Sequence, residues 1–411
     1  MRLLHTADWH LGHTLHDFPR EAEHQAFLSW LLDQLGEHAV DALLIAGDVF
    51  ETANPPVRAE EAWYTFLADA RGRYPDLDIL VTGGNHDSAA RLDAPNPVLR
   101  AMRVTVLGGL PRRGGRAVDL DRLVQPLHKD GQVTAWVAAV PYLRLSDLPR
   151  VSAPDPIVEG IQAIYQQALG SARSRRQPGQ ALLAMGHLAC SGARLSPLSE
   201  RRIQGGEMHS LPDAAFPSDL AYVALGHLHL AQTLSGRENV RYSGSPIPLN
   251  MGERNYEHQV VLVDLDGEDF VRAQPLMVPR RVDFLRVPDQ GELSLAELLP
   301  RLEGLPDKDL SSRDSPFLEV RVRLDKPQPL LRQRVERALE GKDVRLVTVK
   351  TTYTGDGQAL STPDELEDLD VTEVFRRRWK REHSGDPTAE VLHAFHLLLE
   401  QLQRDELDHT A

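Results

Sequence analysis

The feature that most narrows the choice of fold is the way the apolar runs of this chain end. The strand-like stretches "RLLHTAD" (2–8), "DALLIAGDVFE" (41–51) and "DILVTGG" (78–84) each break into glycine or ionisable residues. Between them "EAEHQAFLSWLLDQLGEH" (21–38) repeats apolar residues at helical spacing, with Phe27, Trp30, Leu31 and Leu35 on one side. "PPVRAEEAWYTFLADARGRY" (55–74) is a second helix, with its prolines at the start, where a helix tolerates them. Strand, helix, strand, helix, strand predicts a layered α/β domain. Further apolar runs at 134–143, 181–189, 220–231 and 258–267 continue the theme, and "RSRRQPGQ" (173–180) reads as a surface loop. The first domain is expected to span 1–275.

Beyond it the pattern changes. "VDFLRV", "FLEVRVRL" and "DVRLVTVKTTY" alternate apolar and polar residues, with helical stretches at 293–303 and 328–340 between them. This predicts a small α+β unit over 276–355. A polar, turn-rich linker follows, "TGDGQALSTPDELED" (354–368), and then two amphipathic helices near 368–382 and 387–406 within a tail of 356–411. Two helices have too little mass to bury their own apolar faces, and an exposed patch of that kind signals a partner.

The chemistry lies at the strand ends. The first run ends in Asp8-Trp9-His10, the second in Gly47-Asp48 and the third in Gly84-Asn85-His86-Asp87. Two later runs end in Gly186-His187 and Gly226-His227-Leu228-His229. Ligands bind in α/β sheets at the carboxyl ends of the strands, so these scattered residues are expected to converge. Aspartate oxygens, imidazole nitrogens and an asparagine carbonyl suit Mn²⁺, Fe²⁺ or Zn²⁺. Histidines are too many for a Ca²⁺ cage, and a single cysteine, Cys190, argues against a soft-metal cluster. Asp8, His10, Asp48, Asn85, His187, His227 and His229 are more donors than one ion needs; they suit two ions sharing a carboxylate. Two such ions clamp the attacking and leaving oxygens of an in-line displacement at phosphorus. Asn85 would ligate through its carbonyl. His86 would stay off the metal and protonate the leaving oxygen or donate to the phosphate. Asp87 would orient His86 and fix its tautomer. His5, His13, His16 and His24 read as surface or structural, and Cys190 as a small buried thiol. Each short motif is commonplace alone; their conjunction in one order is not.

Composition adds constraints. The absence of a long apolar run predicts no membrane span, and the early polar break in "MRLLHTADWH" predicts no signal peptide. With one cysteine no internal disulfide forms, which fits a cytoplasmic protein. The net charge of −14 opposes a partner as anionic as DNA, unless bound cations or another subunit supply positive charge.

The ordered motifs Asp8-x-His10, Gly47-Asp48, Gly84-Asn85-His86-Asp87, Gly186-His187 and Gly226-His227-x-His229 resemble those of the calcineurin-like metallophosphoesterases. "MRLLHTADWHLG", "GDVFETANPP" and "YSGSPIPLNMGE" (242–253) resemble, more finely, the SbcD family of DNA double-strand-break repair nucleases, and the likeness covers nearly the whole chain. The resemblance implies a four-layer α-β-β-α metallophosphoesterase domain, a small capping domain and a C-terminal helical tail. It implies that Asp8, His10, Asp48 and His229 hold one metal, that Asp48, Asn85, His187 and His227 hold the other, and that His86 is catalytic. It implies Mn²⁺ as the metal and DNA phosphodiesters as the substrate, cut exonucleolytically on double strands and endonucleolytically on single strands and hairpins. Roles in DNA repair, recombination and replication follow from the same likeness. It further implies a tail that docks on an SbcC-type coiled-coil ATPase, and a nuclease homodimer within a heterotetramer. The archaeal relatives carry a histidine shortly after the bridging aspartate; Glu51 stands there in this chain.

Other readings of the same motifs are an enzyme on smaller substrates, such as a cyclic nucleotide phosphodiesterase or a protein phosphatase, since one fold and metal site serve many phosphoesters, and a non-catalytic DNA-bridging scaffold. The capping unit and tail weigh against the first. The filled ligand positions weigh against the second.

Overall fold

The computed structural model describes residues 1–353 except 116, 150, 195–209 and 309–313, together with 371–383 and some positions within 385–398. The expected linker at 354–368 and most of the second tail helix lie outside the described residues.

The chain begins with β1 (Arg2–Thr6), α1 (Glu21–Glu37), β2 (Ala42–Ala46), α2 (Val57–Arg73), β3 (Asp78–Thr82) and β4 (Val104–Leu107). It continues with β5 (Val124–Lys129), β6 (Gln132–Ala139), α3 (Pro156–Arg175), β7 (Ala181–His187), β8 (Tyr222–Gly226), β9 (Gln232–Leu234) and β10 (Arg237–Tyr242). Two strands, β11 (Gln259–Asp266) and β12 (Asp269–Met277), then return to the first sheet. That sheet has the order β12-β11-β1-β2-β3-β4, and the second β9-β10-β8-β7-β6-β5. β1 through β4 run parallel, as do β6, β7 and β8, so their carboxyl ends share an edge.

The central strands are buried on both faces, which is why they read as unbroken apolar runs. Alternate residues serve different layers. Leu43 and Ile45 pack outward with Phe27, Leu31, Trp63 and Phe66 of α1 and α2. Leu44 and Ala46 pack inward with Ala135, Val137, Leu183, Met185 and Ala224 of the second sheet. On that sheet's far face Leu182, Ala184, Val223 and Leu225 meet Ile164, Tyr165 and Leu169 of α3. The result is the four-layer α-β-β-α stack.

α3 starts where Asp155 accepts the Ile157 and Val158 N–H groups (3.2 and 3.1 Å), with Pro156 in the first turn. It runs through Arg175, so the first residues of the expected 173–180 loop are helical. Arg173 and Arg175 are paired with Asp219 and Asp121, an ion-paired helix end. The strands β4, β5, β10 and β12 were not separable by pattern: β4 is only four residues long, β5 and β10 mix polar with apolar residues, and β12 is an edge strand whose side chains are all exposed or half-buried.

A third sheet follows. β13 (Phe284–Val287), β14 (Leu293–Ser294) and β16 (Arg345–Tyr353) all pair in parallel with β15 (Phe317–Leu324). α4 (Leu295–Glu303) and α5 (Leu331–Ala338) cover it through Leu298, Leu302 and Val335. A capping box between Ser294 and Glu297 starts α4. This cap rests on the body through Phe284 and Phe317, which pack with Leu15, Phe18 and Met251. The fully buried Arg20, paired with Glu23, stacks over both rings, and Arg345 lies 3.9 Å from the Phe317 centroid. A further helix, α6 (Val371–Glu382), falls within the first expected tail helix. No helix among the described residues is long and apolar enough to cross a membrane.

Candidate metal centre

The loops leaving β1 and β2 run side by side. Asp8 N–H donates to the Gly47 carbonyl (3.0 Å) and His10 N–H to that of Asp48 (3.1 Å). Asp8, His10 and Asp48 adopt left-handed backbone with φ of 56°, 49° and 50°, and His227 has φ of 100°. Such conformations cost on the order of 1–3 kcal/mol each and concentrate at functional sites. Two glycines permit the crowding. A Cβ on Gly47, itself at φ +89°, would lie 2.1 Å from His187 Nδ1, and one on Gly84 would lie 2.1 Å from Asp48 Oδ1.

The predicted residues converge. Asp48 is central: its Oδ1 accepts the His86 backbone N–H (2.8 Å), and its Oδ2 lies 3.2 Å from His187 Nε2 and 3.7 Å from His10 Nε2. Asn85 Oδ1 sits 3.0 Å from both His187 Nε2 and His227 Nδ1. Asp8 Oδ1 accepts the His227 backbone N–H (2.9 Å). The donors Asp8, His10 and His229 form one close group, and Asp8, Asp48 and His187 another. His86 shares a third with His10 and Asp48, so its ring borders both candidate groups.

The site fits divalent cations on its own terms. Asp8 Oδ2, His10 Nε2 and His227 Nε2 are buried polar atoms without a hydrogen-bond partner among the described residues. Such atoms are costly unless something binds them. The local field favours positive charge. Burial opposes a charge on His187, yet Asp48 and Asp8 raise it to about 9. Burial likewise opposes the Asp48 carboxylate, and His187, His86 and His10 reverse this, holding it well below the usual carboxylate range.

Two roles read from the sequence change. Asp87 does not orient the His86 ring. Its carboxylate accepts the backbone N–H groups of Gly84 (2.9 Å), Val49 (3.1 Å) and Phe50 (3.0 Å), clamping the β3 loop to the β2 loop. Burial, then the Asp48 charge, push Asp87 up to about 6 against those bonds. His86 is oriented instead by the Glu51 carbonyl, 2.7 Å from Nδ1. A carbonyl only accepts, so Nδ1 carries the proton.

Two carboxylates stand behind the candidate ligands: Glu51, named from the sequence without a role, and Glu253, which the sequence did not single out. Glu51 Oε2 lies 2.8 Å from His10 Nδ1, and the fully buried Glu253 Oε1 lies 2.9 Å from His229 Nδ1. Glu253 ends "YSGSPIPLNMGE", and only its place in a run so rich in turn residues could have flagged it. His5 and His24 are buried and structural, bonded to Tyr222 and the Trp9 carbonyl, and His16 is exposed. Burial pushes the Cys190 thiol up to about 12, which makes it inert.

This layered fold with its strand-end donors defines a class. The family model described as calcineurin-like phosphoesterase matches residues 1–231, more than half of the chain, and the protein is a metal-dependent phosphodiester hydrolase of that class. A second model, described as type 5 capsule protein repressor C-terminal domain, matches residues 280–383. Within the class the chain belongs to the SbcD family, the D component of the nuclease SbcCD. It is 43% identical to the SbcD nuclease of Rhodobacter capsulatus, over 89% of this chain and 91% of the relative. It is 31% identical to that of Escherichia coli K12 (92% of each chain) and 34% identical to that of Bacillus subtilis 168 (67% of this chain, 70% of the relative).

Proposed function

We propose that the chain is the DNA nuclease subunit of an SbcCD-type complex, in which two Mn²⁺ ions are held at the strand ends of the body. Asp8, His10, Asp48 and His229 would hold one ion, and Asp48, Asn85, His187 and His227 the other. The carrying observation is Asp48 Oδ2, which faces His10 Nε2 from one side and His187 Nε2 from the other, the position of a bridging ligand. Ions bound there supply Lewis acidity to the attacking and leaving oxygens of the phosphodiester.

The side chains do the rest. Asp8 and Asp48 keep the centre anionic. Asn85 adds a neutral oxygen and so limits that charge. The Glu51 carbonyl takes Nδ1–H of His86, which leaves Nε2 to face the reacting phosphate and, from the imidazolium form, to protonate the leaving oxygen. The Asp87 clamp fixes the turn that carries both Asn85 and His86.

The rest of the chain supports a DNA substrate over a small ester. On this reading residues 1–275 are the nuclease domain, 276–355 a cap over the DNA, and 356–411 the linker and helices that bind the SbcC-type ATPase. A homodimer of the chain joined to that ATPase forms a cytoplasmic heterotetramer for DNA end processing. Bound cations and the partner's surface offset the −14 charge.

The test is cleavage of a labelled DNA hairpin by the purified chain with Mn²⁺, with and without the ATPase, and with Asp48→Ala as control. The proposal expects cleavage that Asp48→Ala abolishes. Turnover of a small phosphodiester with no cleavage of hairpin or duplex ends would overturn it.

A further inference from the structure

The two halves of the metal centre are backed differently. In the half formed by Asp8, His10 and His229, both imidazoles meet a carboxylate on the nitrogen away from the centre: Glu51 behind His10 (2.8 Å) and Glu253 behind His229 (2.9 Å). In the other half His187 Nδ1 donates to a neutral carbonyl, that of Ala46 (2.9 Å). His227 Nδ1 lies 3.0 Å from Asn85 Oδ1, the oxygen offered to the ion, and its other ring nitrogen, Nε2, has no hydrogen-bond partner among the described residues.

Glu253 is itself held in place. Leu249 N–H donates to its Oε2 and Asn250 Nδ2 to its Oε1, both at 2.8 Å, so the carboxylate reaches His229 from a fixed position. Glu51 comes from a different segment, the turn after β2, and its backbone N–H donates to the Leu11 carbonyl (3.1 Å). The two carboxylates thus belong to distant segments and converge on one half of the site.

We infer that Glu51 and Glu253 are positioning residues that make the two ion sites unequal, with the Asp8/His10/His229 site the tighter. A carboxylate behind an imidazole fixes its tautomer and raises its basicity, and losing it costs about 10–100-fold in metal affinity. The donors add to the asymmetry: the tight half has Asp8 beside the bridging Asp48, whereas the other has the uncharged Asn85. This inference rests on the two-ion reading and concerns filling order. At limiting metal one ion occupies the carboxylate-backed half, and the second, weaker step completes the centre.

The test is titration of the metal-free full chain with Mn²⁺, followed by calorimetry and by the electron paramagnetic resonance signal of the ion. Wild type is expected to bind one ion at least about 10-fold more tightly than the second. A mononuclear signal should rise to one equivalent and be quenched by coupling as the second binds. Glu51→Gln and Glu253→Gln should each weaken the first step by about 10–100-fold and leave the second nearly unchanged. The melting temperature of the metal-free variants separates this effect from misfolding. Should Glu253→Gln fail to fold, Glu51→Gln, whose side chain is partly exposed, decides the matter alone. Two equal binding steps in wild type, or variants that weaken both steps alike, would overturn the inference and spare the two-ion reading. Absence of Mn²⁺ binding would overturn both.

Discussion

The body's central strands and the cap's strands both run parallel under helices, yet the two regions spend their residues differently. The body buries its central strands on both faces and, at one edge, concentrates ionisable groups on left-handed backbone. The cap keeps β16 largely half-buried or exposed, and its lysines and arginines slightly outnumber its acids although the whole chain is acidic. It meets the body through the aromatic and arginine stack of Phe18, Arg20, Phe284, Phe317 and Arg345. A rigid, strained body can hold a charge-dense centre that a one-sided sheet could not. The cap contributes surface, and the proposed chemistry needs none of its side chains.

That division predicts which lesions spread. Asp48→Ala removes the carboxylate between His10 and His187, so hydrolysis of both hairpin DNA and a small phosphodiester should fall to background, with loss of bound metal measured by elemental analysis. His86→Ala should keep both ions and lower the rate on both substrates by about 10²–10⁴-fold, since it removes a proton donor and no ligand. Steady-state kinetics on the metal-loaded variant check this; a near-normal rate would remove His86 from the chemistry. Phe317→Ala acts at the other region. Truncating that fully buried ring should cost about 3–5 kcal/mol in urea unfolding of the cap and leave small-ester turnover unchanged. A parallel loss of small-ester turnover would show that cap and centre are not separable.

The smallest expected effect is in acid. Burial, then Arg241, lowers His5 to about 3, and burial, then Arg20, lowers His24 to about 3. The unfolded chain titrates these groups near pH 6.5. Between those values it binds protons that the fold refuses, so stability falls as the pH drops, by up to about 1.4 kcal/mol per pH unit for each histidine. The cap has no histidine, so acid should loosen the body first, and His24→Gln should flatten the slope by one group in urea titrations at pH 4–6.

Legibility in the sequence divides along similar lines. α1, α2 and the central strands were readable because a doubly buried strand is apolar throughout and a half-buried helix repeats its apolar face. That Asp8, His10, Asp48, Asn85, His86, His187, His227 and His229 come together was readable because strand ends converge in this class of fold. Contacts made across the loops were not readable. Asp87 and His86 are neighbours in sequence, which suggested a pair; the tight turn at Gly84 instead sends Asp87 to the Val49 and Phe50 amides. Glu253 reaches His229 across a 24-residue separation that carries no periodic signal. β12 hides because an edge strand need not be apolar.

The most direct test of the account is diffraction from crystals of the Mn²⁺-loaded chain at the manganese absorption edge. The account predicts two anomalous peaks about 3.5–4 Å apart, with Asp48 touching both, Asn85 on the His187 side and His86 bonded to neither. A single peak, or a His86 nitrogen coordinating an ion, would contradict it.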